Sequence, residues 1–522
     1  MSRAGKAGPA ISRAHEDEQK FSVQGAFTLP DLTDPEHGVA AAVEKGTLEL
    51  RATYYDAADL RLAREGITLR HRTGENSPVW TLKLPAGGTS RTELTLPARS
   101  RTVPPQLRTL LTAWLRGEPL LAATTLHTRR QATSLRDDEG TEIAEVVDDD
   151  VSVLEGREVV SGFREVEVER RGISADAFDA VADRIVAAGA VHGQQVSKAI
   201  RALGPRAATP SDLPPPREVL LTDPAAGLVA LSLRTNTRRL LLADLGVRQQ
   251  EPDGVHQLRV ACRHLRSDLR TLRDLVDAEW ATLLREELAW LANGMGLARD
   301  TEVLRERLAA VIAAEDEAAA SEAGLAYDHE AWQRLDALLG EREQGALRDA
   351  AGVLTSARYL RLVDALIAAA REPVTTPAAA APCSIVLPAL LARTWRRLES
   401  PARRLGPLVP DAQWHRTRIR AKQARYAAEA FAPVLGAPAE QTAAAAKKVQ
   451  ESLGVHQDAV VAADTLLAIA AEHPADGQLS LLLGRLVEAS RHQAAASRDE
   501  FPDVWRAARE RVPTSVRKAA RA

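Results

Sequence analysis

Polar and hydrophobic residues alternate along this chain with two different periods, and the change falls near residue 204. Between residues 15 and 203, polar residues occupy alternate positions in short runs bounded by turn signals: GITLRHR, VWTLKLP, RTELTLP, TLHTRRQATSL, TEIAEVVD and FREVEVER. A period of two predicts β-strands with one polar and one apolar face. A helical pattern over residues 174–188 follows the last run, so we expect a β-rich first half that ends in a helix.

From about residue 217 to residue 511, apolar positions recur every three or four residues, which predicts a second half built of helices. The stretch 255–276 (VHQLRVACRHLRSDLRTLRDLV) carries two such stripes. One stripe is apolar and includes Leu258, Cys262 and Leu265. The other is cationic and consists of His256, Arg259, Arg263, Arg266, Arg270 and Arg273.

The cationic stripe occurs twice. In residues 414–431 the same spacing aligns His415, Arg418, Lys422 and Arg425. Like charges one helical turn apart repel each other, so a bound polyanion would reduce the repulsion within the row. The plainer alternative is that these arginines form a solvent-exposed helix face without a ligand. The repetition favours the ligand.

The helical half also repeats over a longer distance. Arg238 and Arg239 precede the first stripe, Arg396 and Arg397 precede the second, and MGLARDTEVL and SLGVHQDAVV follow them. These matches predict a duplicated unit of several helices. We expect residues 204–216 to link the two halves and residues 373–382 to connect the two copies. Residues 1–14 are expected to be a disordered tail, and residues 309–326 a surface helix or loop.

Composition narrows the class of protein. Of 522 residues, 45% are hydrophobic, 27% are charged and two are cysteines, and the net charge is −3. The length indicates about two to four domains, and two cysteines fit a reducing compartment. There is neither a signal peptide nor a run of about 18 apolar residues, so we expect a cytoplasmic protein without a membrane segment. The negative net charge does not indicate general nucleic-acid binding.

The polar faces of the predicted strands hold both acids and bases. Period two aligns Glu16, Glu18 and Lys20, and then in later strands Arg70 with Arg72, Thr81 with Lys83, Arg91 with Glu93, His127 with Arg129, Glu145 with Asp149, and Glu165 with Glu167 and Glu169. A sheet with one solvent-exposed face would explain the polar positions of any single strand. The whole series of strands predicts instead a closed barrel with a charged lumen. Carboxylates at i and i+2 can hold Mg²⁺ or Mn²⁺, and facing cations can bind phosphate oxygens. The pattern therefore indicates a site for a polyphosphorylated substrate.

The first half resembles the CYTH family, also called triphosphate tunnel metalloenzymes. Glu16, Glu18 and Lys20 supply the ExExK motif of that family. The segments YYDAADLRLAREGITLRHR, WTLKLP, the TRR strand, AEVVDDD and FREVEVE follow in the expected order, so that the resemblance covers residues 14–203. It implies an eight-stranded antiparallel tunnel that hydrolyses or binds triphosphates with a divalent metal ion, Mg²⁺ or Mn²⁺.

This resemblance also implies roles for residues. The metal-site carboxylates are expected to be Glu16, Glu18, Glu165 and Glu167, with Asp149 as a further candidate. The phosphate-binding cations are expected to be Lys20, Arg70, Arg72, Lys83, Arg91, Arg129 and Lys198. Arg130 lies on the opposite strand face from Arg129, and Glu169 lies inside the tunnel or at its rim. Lys20 or one of the glutamates, such as Glu16 or Glu18, is expected to orient the attacking water.

The second half, residues 217–511, resembles the CHAD family through its HxxR-xxx-[RK]-xx-R rows and its LG-x-x-x-D elements. That resemblance implies an all-α fold of two duplicated four-helix units, with a basic groove that binds inorganic polyphosphate. The groove residues are expected to be Arg238, Arg239, His256, Arg259, Arg263, Arg266, Arg396, Arg397, His415, Arg418, Lys422 and Arg425. The whole chain is then an α+β multidomain protein with a linker at residues 204–216.

Two functions follow from these expectations. The leading hypothesis is metal-dependent hydrolysis of inorganic triphosphate or a related polyphosphate in the tunnel, with polyphosphate binding by the helical domain, in the cytoplasm at polyphosphate granules. The alternative is a non-catalytic polyphosphate-binding scaffold. Adenylate cyclase or thiamine-triphosphatase activity is chemically allowed, but nothing in the sequence indicates a base-recognition pocket. The cationic rows lack the interleaved aromatic residues that stack bases, which disfavours nucleic acid.

Overall fold

The computed structural model describes residues 11–75, 77–87, 90–193, 196–320 and 328–519. It divides into two compact units, Met1–Asp212 and Leu213–Ala522. The first unit contains the strands and the second consists of helices.

Within the described residues, the first unit is built on one antiparallel sheet of ten strands: β1 (Ser12–Glu16), β2 (Glu18–Val23), β3 (Ala41–Asp56), β4 (Thr68–Thr73), β5 (Val79–Gly87), β6 (Ser90–Pro97), β7 (Leu121–Arg136), β8 (Glu142–Glu155), β9 (Glu158–Arg170) and β10 (Val191–His192). The strand order across the sheet is β1-β6-β5-β4-β3-β7-β8-β9-β2-β10. Five short helices accompany the strands: α1 (Arg61–Arg64), α2 (Pro105–Leu110), α3 (Thr112–Leu115), α4 (Ala175–Ala187) and α5 (Lys198–Leu203).

The sheet closes on itself at Asp17. Strand β1 pairs with β6 at one edge, whereas β2 pairs with β9 near the other edge, and only Asp17 separates β1 from β2. The Asp17 carbonyl accepts a hydrogen bond from the Arg170 amide at 2.9 Å, which fixes the crossing point. A single run of chain therefore joins both edges and makes the sheet a tunnel.

The number of strands differs from the eight that were predicted, for two reasons. The crossing at Asp17 divides the first run into two strands, and the two-residue strand β10 pairs at the far edge beside β2. The pattern analysis also missed β3, because acidic, basic and small residues interrupt the alternation in AAVEKGTLELRATYYD. The predicted tail was too long: β1 starts at Ser12, while residues 1–10 lie outside the described part of the chain.

Apolar residues on the outer face of the sheet pack against α4. Val166 and Val168 of β9 are fully buried with Phe21 of β2 and with Val181 and Ile185 of α4. The Ser174 hydroxyl accepts a hydrogen bond from the Ala177 amide and caps this helix, at the position where the sequence pattern starts it. Because side chains alternate along a strand, burial of these valines turns the glutamates between them inward.

Eleven helices are described in the second unit: α6 (Ala225–Arg248), α7 (Gly254–Thr271), α8 (Ala278–Gly294), α9 (Gly296–Ala320), α10 (His329–Thr355), α11 (Ala357–Arg371), α12 (Cys383–Ala402), α13 (Asp411–Leu435), α14 (Ala437–Glu472), α15 (Gly477–Arg511) and α16 (Thr514–Ala519). The predicted stripes lie on α7 and α13. Helix α7 ends earlier than predicted, since Asp277 already caps α8. Helix α9 covers part of the segment 309–326, and residues 321–327 lie outside the described chain.

The apolar stripe of α7 forms the core contact of that helix: Leu258, Cys262 and Leu265 are completely buried. Among the described helices, only α14 has the length and mean hydropathy of a membrane span, and 44% of the relevant window is buried inside the protein. Helix α14 packs against α13 and α15 and buries Leu453 and Leu466, which is how a core helix of a bundle behaves. Its composition is thus accounted for by packing within the helical unit.

Candidate functional site

The tunnel encloses a polar cavity of about 400 Å³. Its wall combines side chains from nine strands, β1 to β9, and from α5, so the closed sheet brings together residues that are far apart in sequence. Acids and bases alternate around this wall. Of the predicted residues, these line the cavity: Glu18, Lys20, Arg70, Arg72, Lys83, Arg91, Glu167 and Lys198.

A cluster of three carboxylates lies inside the cavity. Oxygen atoms of Glu18, Glu167 and Glu169 all lie within 4.8 Å of one another, and Glu18 and Glu167 are buried. The register explains the cluster, since Glu18 of β2 is paired with Glu169 of β9, and Lys20 with Glu167. Carboxylate oxygens at this spacing are donors that Mg²⁺ and Mn²⁺ prefer, so these residues fit a divalent ion.

Two buried lysines balance the carboxylates. The Lys20 amine lies 3.1 Å from Glu18 Oε1 and forms a short contact with Glu167. The Lys198 amine reaches Glu167 Oε2 at 2.6 Å, Glu165 Oε1 at 2.8 Å and Asp149 Oδ2 at 3.0 Å. Burial opposes charge on every group here, yet the neighbouring lysines and Arg130 hold the pKa of Glu167 well below its usual value. The site therefore keeps its charges.

Asp149 does not belong to the carboxylate cluster. Its side chain is completely buried, and both of its oxygens accept hydrogen bonds from Arg130, at 2.8 and 2.7 Å. Lys198 occupies the remaining side. Glu165 is likewise held by Lys198 and by Arg201 at 3.1 Å. Both residues anchor cations in the wall, and Glu169 takes the third place in the cluster instead.

The structure corrects the prediction for Arg129. Arg129 is exposed and lies on the outside of the tunnel, in a depression with Asp148, Asp150 and Arg164, whereas Arg130 lines the cavity. Polar residues occupy both faces of TLHTRRQATSL, so counting by two could not decide which arginine points inward. In the structure, buried Thr128 shares the inner face with Arg130.

Glu16 belongs to β1 by its backbone, where it pairs with Arg91 of β6, but its side chain lies outside the described part of the protein. The sequence analysis missed two cations at one end of the cavity, Lys45 and Arg171. Lys45 had a detectable signal, a Lys-Gly pair that interrupts the period of β3. Arg171 directly follows the alternating run of β9 and had none.

The helical unit contains a second cationic surface, here called the groove and defined by Arg259, Arg263, Arg418 and Lys422. Burial and the charges of Arg418, Arg263 and Arg259 lower the pKa of Lys422 to about 7. The rows of α7 and α13 therefore lie close enough to repel each other. The Arg263 guanidinium also donates to the Tyr426 hydroxyl at 3.2 Å, which joins the two helices.

Corresponding residues of the two rows make corresponding contacts. Arg259 pairs with Asp300 at 3.3 Å, and Arg418 pairs with Asp458 at 3.3 Å. These are the matching aspartates of the two LG-x-x-x-D elements. Asp300 and Asp458 thus occupy equivalent positions in the two copies of the repeat, and each forms an ion pair with the first arginine of its row.

The cationic surface continues beyond the predicted residues. Burial together with the charges of Arg420, Arg285, Arg397 and Arg273 lowers the pKa of Arg270. Arg266 lies next to Arg285 and Arg263 and its pKa is lowered in the same way, with burial as the largest cause. Sequence reasoning missed both Arg285 and Arg420. Arg285 lies on α8, a helix without a regular cationic row, and Arg420 lies on α13 outside the spacing of its row.

Five predicted groove residues have other surroundings. Arg238 donates to the Leu213 carbonyl and Arg396 to the Ala519 carbonyl. Arg239 and Arg425 line a separate pocket that also contains Asp268 and Glu429, and Arg425 donates to Glu429 at 2.6 Å. His415 is exposed beside Gln457. Arg425 also lies over the ring of Tyr426, whose hydroxyl accepts from Arg263, so this pocket adjoins the groove.

His256, in contrast, stands next to the groove. Burial and the charges of Arg299 and Arg263 lower its pKa, so that its ring is neutral near pH 7 in the free protein. No metal-ligand cluster is found around it among the described residues.

A closed antiparallel sheet with carboxylates and cations inside has the architecture of a triphosphate tunnel fold. Family models match a CYTH domain over residues 14–203 and a CHAD domain over residues 232–467. The chain belongs to the family of proteins that join a CYTH domain to a CHAD domain. CYTH domains are metal-dependent and act on triphosphate-containing substrates.

The chain is also similar to several individual proteins. Uncharacterized proteins from two strains of Mycobacterium tuberculosis are 31% identical to the chain over 98% of its length and 99% of theirs. Among solved structures, PptA from Streptomyces chartreusis is 25% identical, covers 54% of this chain and 100% of its own, and has a TM-score of 0.46. The CHAD domain from the plant Ricinus communis is 24% identical, covers 56% of this chain and 94% of its own, and has a TM-score of 0.46.

Proposed function

We propose that the tunnel hydrolyses inorganic triphosphate with a divalent metal ion. The observation that carries this proposal is the cluster of Glu18, Glu167 and Glu169 within 4.8 Å, inside a cavity walled by arginines and lysines. A bound metal ion would neutralise phosphate oxygens and activate water. The reaction adds water to the terminal phosphorus, breaks the bridging P–O bond and releases orthophosphate and diphosphate.

The residues of the chain bind and orient the substrate in this scheme. Arg70, Arg130 and Lys20 present buried positive charge to the phosphate oxygens, which strengthens each contact because little water screens it. Burial is the largest single influence and lowers the pKa of Lys20, but the charges of Glu167, Glu18 and Glu165 together outweigh it and the pKa is raised. Lys20 therefore stays protonated and acts as a cation. The proton of the attacking water must go to a carboxylate or to the phosphate itself.

The lining of the cavity favours an inorganic substrate over a nucleotide. Among the described residues of the wall, the one aromatic side chain other than His15 is Tyr54, and its hydroxyl lies 3.5 Å from the Arg70 guanidinium. Because the Tyr54 ring lies inside the cavity next to Arg70, it is not placed at the entrance, where a nucleotide base could stack on it.

Phosphate release from triphosphate with Mg²⁺ or Mn²⁺ tests this function. We expect Glu18→Gln/Glu167→Gln to lower turnover by about 100-fold or more at a fixed metal concentration, because two of the three ligands lose their charge. Glu158→Gln, an exposed position of β9, is the control and should leave turnover unchanged. Release that needs no metal, or that survives the double substitution, would refute the assignment.

We further propose that the groove of the helical unit binds inorganic polyphosphate. What supports this is the convergence of Arg259, Arg263, Arg418 and Lys422, which repel one another in the free protein. If the tunnel has no turnover while the groove binds polyphosphate, the protein is the alternative, a polyphosphate-binding scaffold. Calorimetric titration with long-chain polyphosphate should show binding that Arg263→Ala/Lys422→Ala weakens at least tenfold, given about 1.4 kcal/mol or more per phosphate contact.

A further inference from the structure

The two ends of the tunnel differ in character. Along β8 and β9, Glu145 is paired with Glu169, Asp149 with Glu165, and Val151 with Phe163. The end at Val151 is filled by an apolar cluster in which Ala199 of α5 packs against Tyr54, Leu126 and Val153. The end at Glu145 lies roughly 20 Å away, at about 3.3 Å per residue, and is polar. Substrate that is longer than the cavity must therefore extend past Glu145.

Four charged side chains surround this polar end and are here called the mouth cluster: Lys45, Glu142, Glu145 and Arg171. The Lys45 amine lies 2.6 Å from Glu142 and 2.8 Å from Glu145. The Arg171 guanidinium lies 2.7 Å from Glu145 and 3.2 Å from Glu169. Lys45, Glu145 and Arg171 also line the cavity, so the cluster is continuous with the site.

The backbone of β3 places Lys45 at this position by means of a bulge. Glu44 pairs with Thr133 and Gly46 with Ala132, which leaves Lys45 as the extra residue. Gly46 has φ +93°, a conformation that residues with a Cβ rarely adopt. The strand therefore departs from regular pairing where it delivers a lysine to the end of the cavity.

The mouth cluster can release its cations at small cost. The side chains of Lys45 and Arg171 are 36% and 47% exposed, and both share Glu145. Ion pairs in water contribute about 0–1 kcal/mol, so a phosphate group can displace a carboxylate from either cation. A phosphate also matches the planar fork of Arg171, with two parallel hydrogen bonds.

We propose that Lys45 and Arg171 form a binding site for the phosphate unit that follows the third unit of a chain seated in the cavity. This subsite makes linear polyphosphates longer than triphosphate a substrate class of the tunnel, with three units seated among the cavity cations and the rest leaving through the mouth. The inference rests on the proposed hydrolase function and specifies which chains that function accepts.

The test compares triphosphate with tetraphosphate, both short enough to reduce the contribution of the groove. Turnover is measured as kcat/KM for the full-length protein and for Lys45→Ala, Arg171→Ala and the double variant. We expect the ratio of tetraphosphate to triphosphate to fall about tenfold in the double variant, as for the loss of a charge-assisted contact. Arg157→Ala, an exposed arginine between β8 and β9, is the matched control and should keep the ratio of the wild type.

Two further outcomes are decisive. If the double variant loses activity toward both substrates equally, or toward neither, the subsite is refuted. Hydrolysis of triphosphate by the wild type would still support the proposed function. If the wild type hydrolyses nothing, the proposed function fails, and calorimetric binding of the same two compounds decides the subsite separately. Selective loss of tetraphosphate affinity in the double variant would then support the subsite, and equal affinities would refute it.

Discussion

Lys198 is the residue on which the electrostatics of the tunnel depends most. One amine contacts three buried carboxylates, Asp149, Glu165 and Glu167, from the first turn of α5. Burial alone would lower its pKa, but the charges of Glu167, Asp149 and Glu165 raise it well above the usual value. Removing this cation would leave negative charges together in a site that water hardly reaches.

We therefore expect Lys198→Met to lower the free energy of unfolding by about 3 kcal/mol or more at neutral pH, since a buried charge then lacks its partner. Lys83→Met, which removes the ion pair with Glu93 at 3.1 Å in a less buried part of the wall, should cost about 1 kcal/mol or less. Urea unfolding of both variants measures the difference. A similar decrease in the free energy of unfolding in the two variants would show that the contact of Lys198 with three carboxylates stabilises the protein no more than one ion pair does.

The sign of the pH dependence follows from the pKa of Glu167. Its pKa is depressed in the folded protein, so its stabilising contribution is present above the unfolded value and is lost as the pH falls through the folded value. In Lys198→Met that depression is reduced. We expect the loss of stability caused by the substitution to be large at neutral pH and to shrink as the pH approaches the ordinary range of a glutamate.

Lys422 gives the groove a pH dependence of its own. Its pKa of about 7 in the free protein rises when a polyanion binds, so binding takes up a proton. Polyphosphate affinity should therefore increase as the pH falls from about 8 to about 6.5. Calorimetry on Lys422→Arg should show a flat profile, and equal slopes in variant and wild type would contradict the assignment.

At the scale of elements, the turn after β4 passes very close to the backbone of the neighbouring strand β3. Gly74 has φ +110°, and a Cβ atom there would lie 2.0 Å from the Glu49 carbonyl oxygen of the neighbouring strand β3. The turn passes so close to β3 that only a residue without a side chain fits. This contact fixes where β4, which carries Arg70 and Arg72, ends and the chain turns toward β5.

Gly74→Ala should therefore destabilise the protein by more than about 1 kcal/mol, since it combines backbone strain with a steric clash. The control is Gly140→Ala, where φ is +79° but nothing lies within 4 Å of the added Cβ, so that only strain contributes. Thermal unfolding of both variants provides the comparison. A smaller loss at Gly74 than at Gly140 would contradict the close approach.

The elements show where sequence reasoning succeeds and where it stops. Glu165, Glu167 and Glu169 alternate with buried valines, so the period alone turned them inward. Lys45 escaped notice because a bulge breaks the period, and Lys198 was inferred only by resemblance, because it reaches the tunnel from a helix. Side chains on strands with two polar faces, such as Arg129, are placed by pairing with neighbouring strands that the local sequence does not encode.

For the whole molecule, a net charge of −3 conceals a strong separation of charge. Arg270, Arg273, Arg285, Arg397 and Arg420 act on one another within the helical unit. Such a surface attracts polyanions by releasing their counterions, and the acidic residues elsewhere keep the total near zero.

Polyphosphate affinity should consequently fall steeply with added salt, by at least tenfold between about 50 and 200 mM, if several phosphates are neutralised. Arg270→Ala/Arg397→Ala should reduce the slope of log affinity against log salt by about one to two units. Arg348→Ala, a position on α10, serves as the control. An unchanged slope in the double variant would show that the polyanion does not reach this part of the surface.

The crossing of β1 into β2 at Asp17 also determines when the tunnel can exist during synthesis. Lys20 leaves the ribosome early, but its partner Glu167 follows 147 residues later, and Lys198 later still. Until then the first strands have one open edge and no site for an ion. A chain whose synthesis stops before β9 would be inert toward triphosphate and would expose an unpaired edge, which quality control in the cell can recognise. The proposed hydrolysis would thus require nearly complete translation of the first unit.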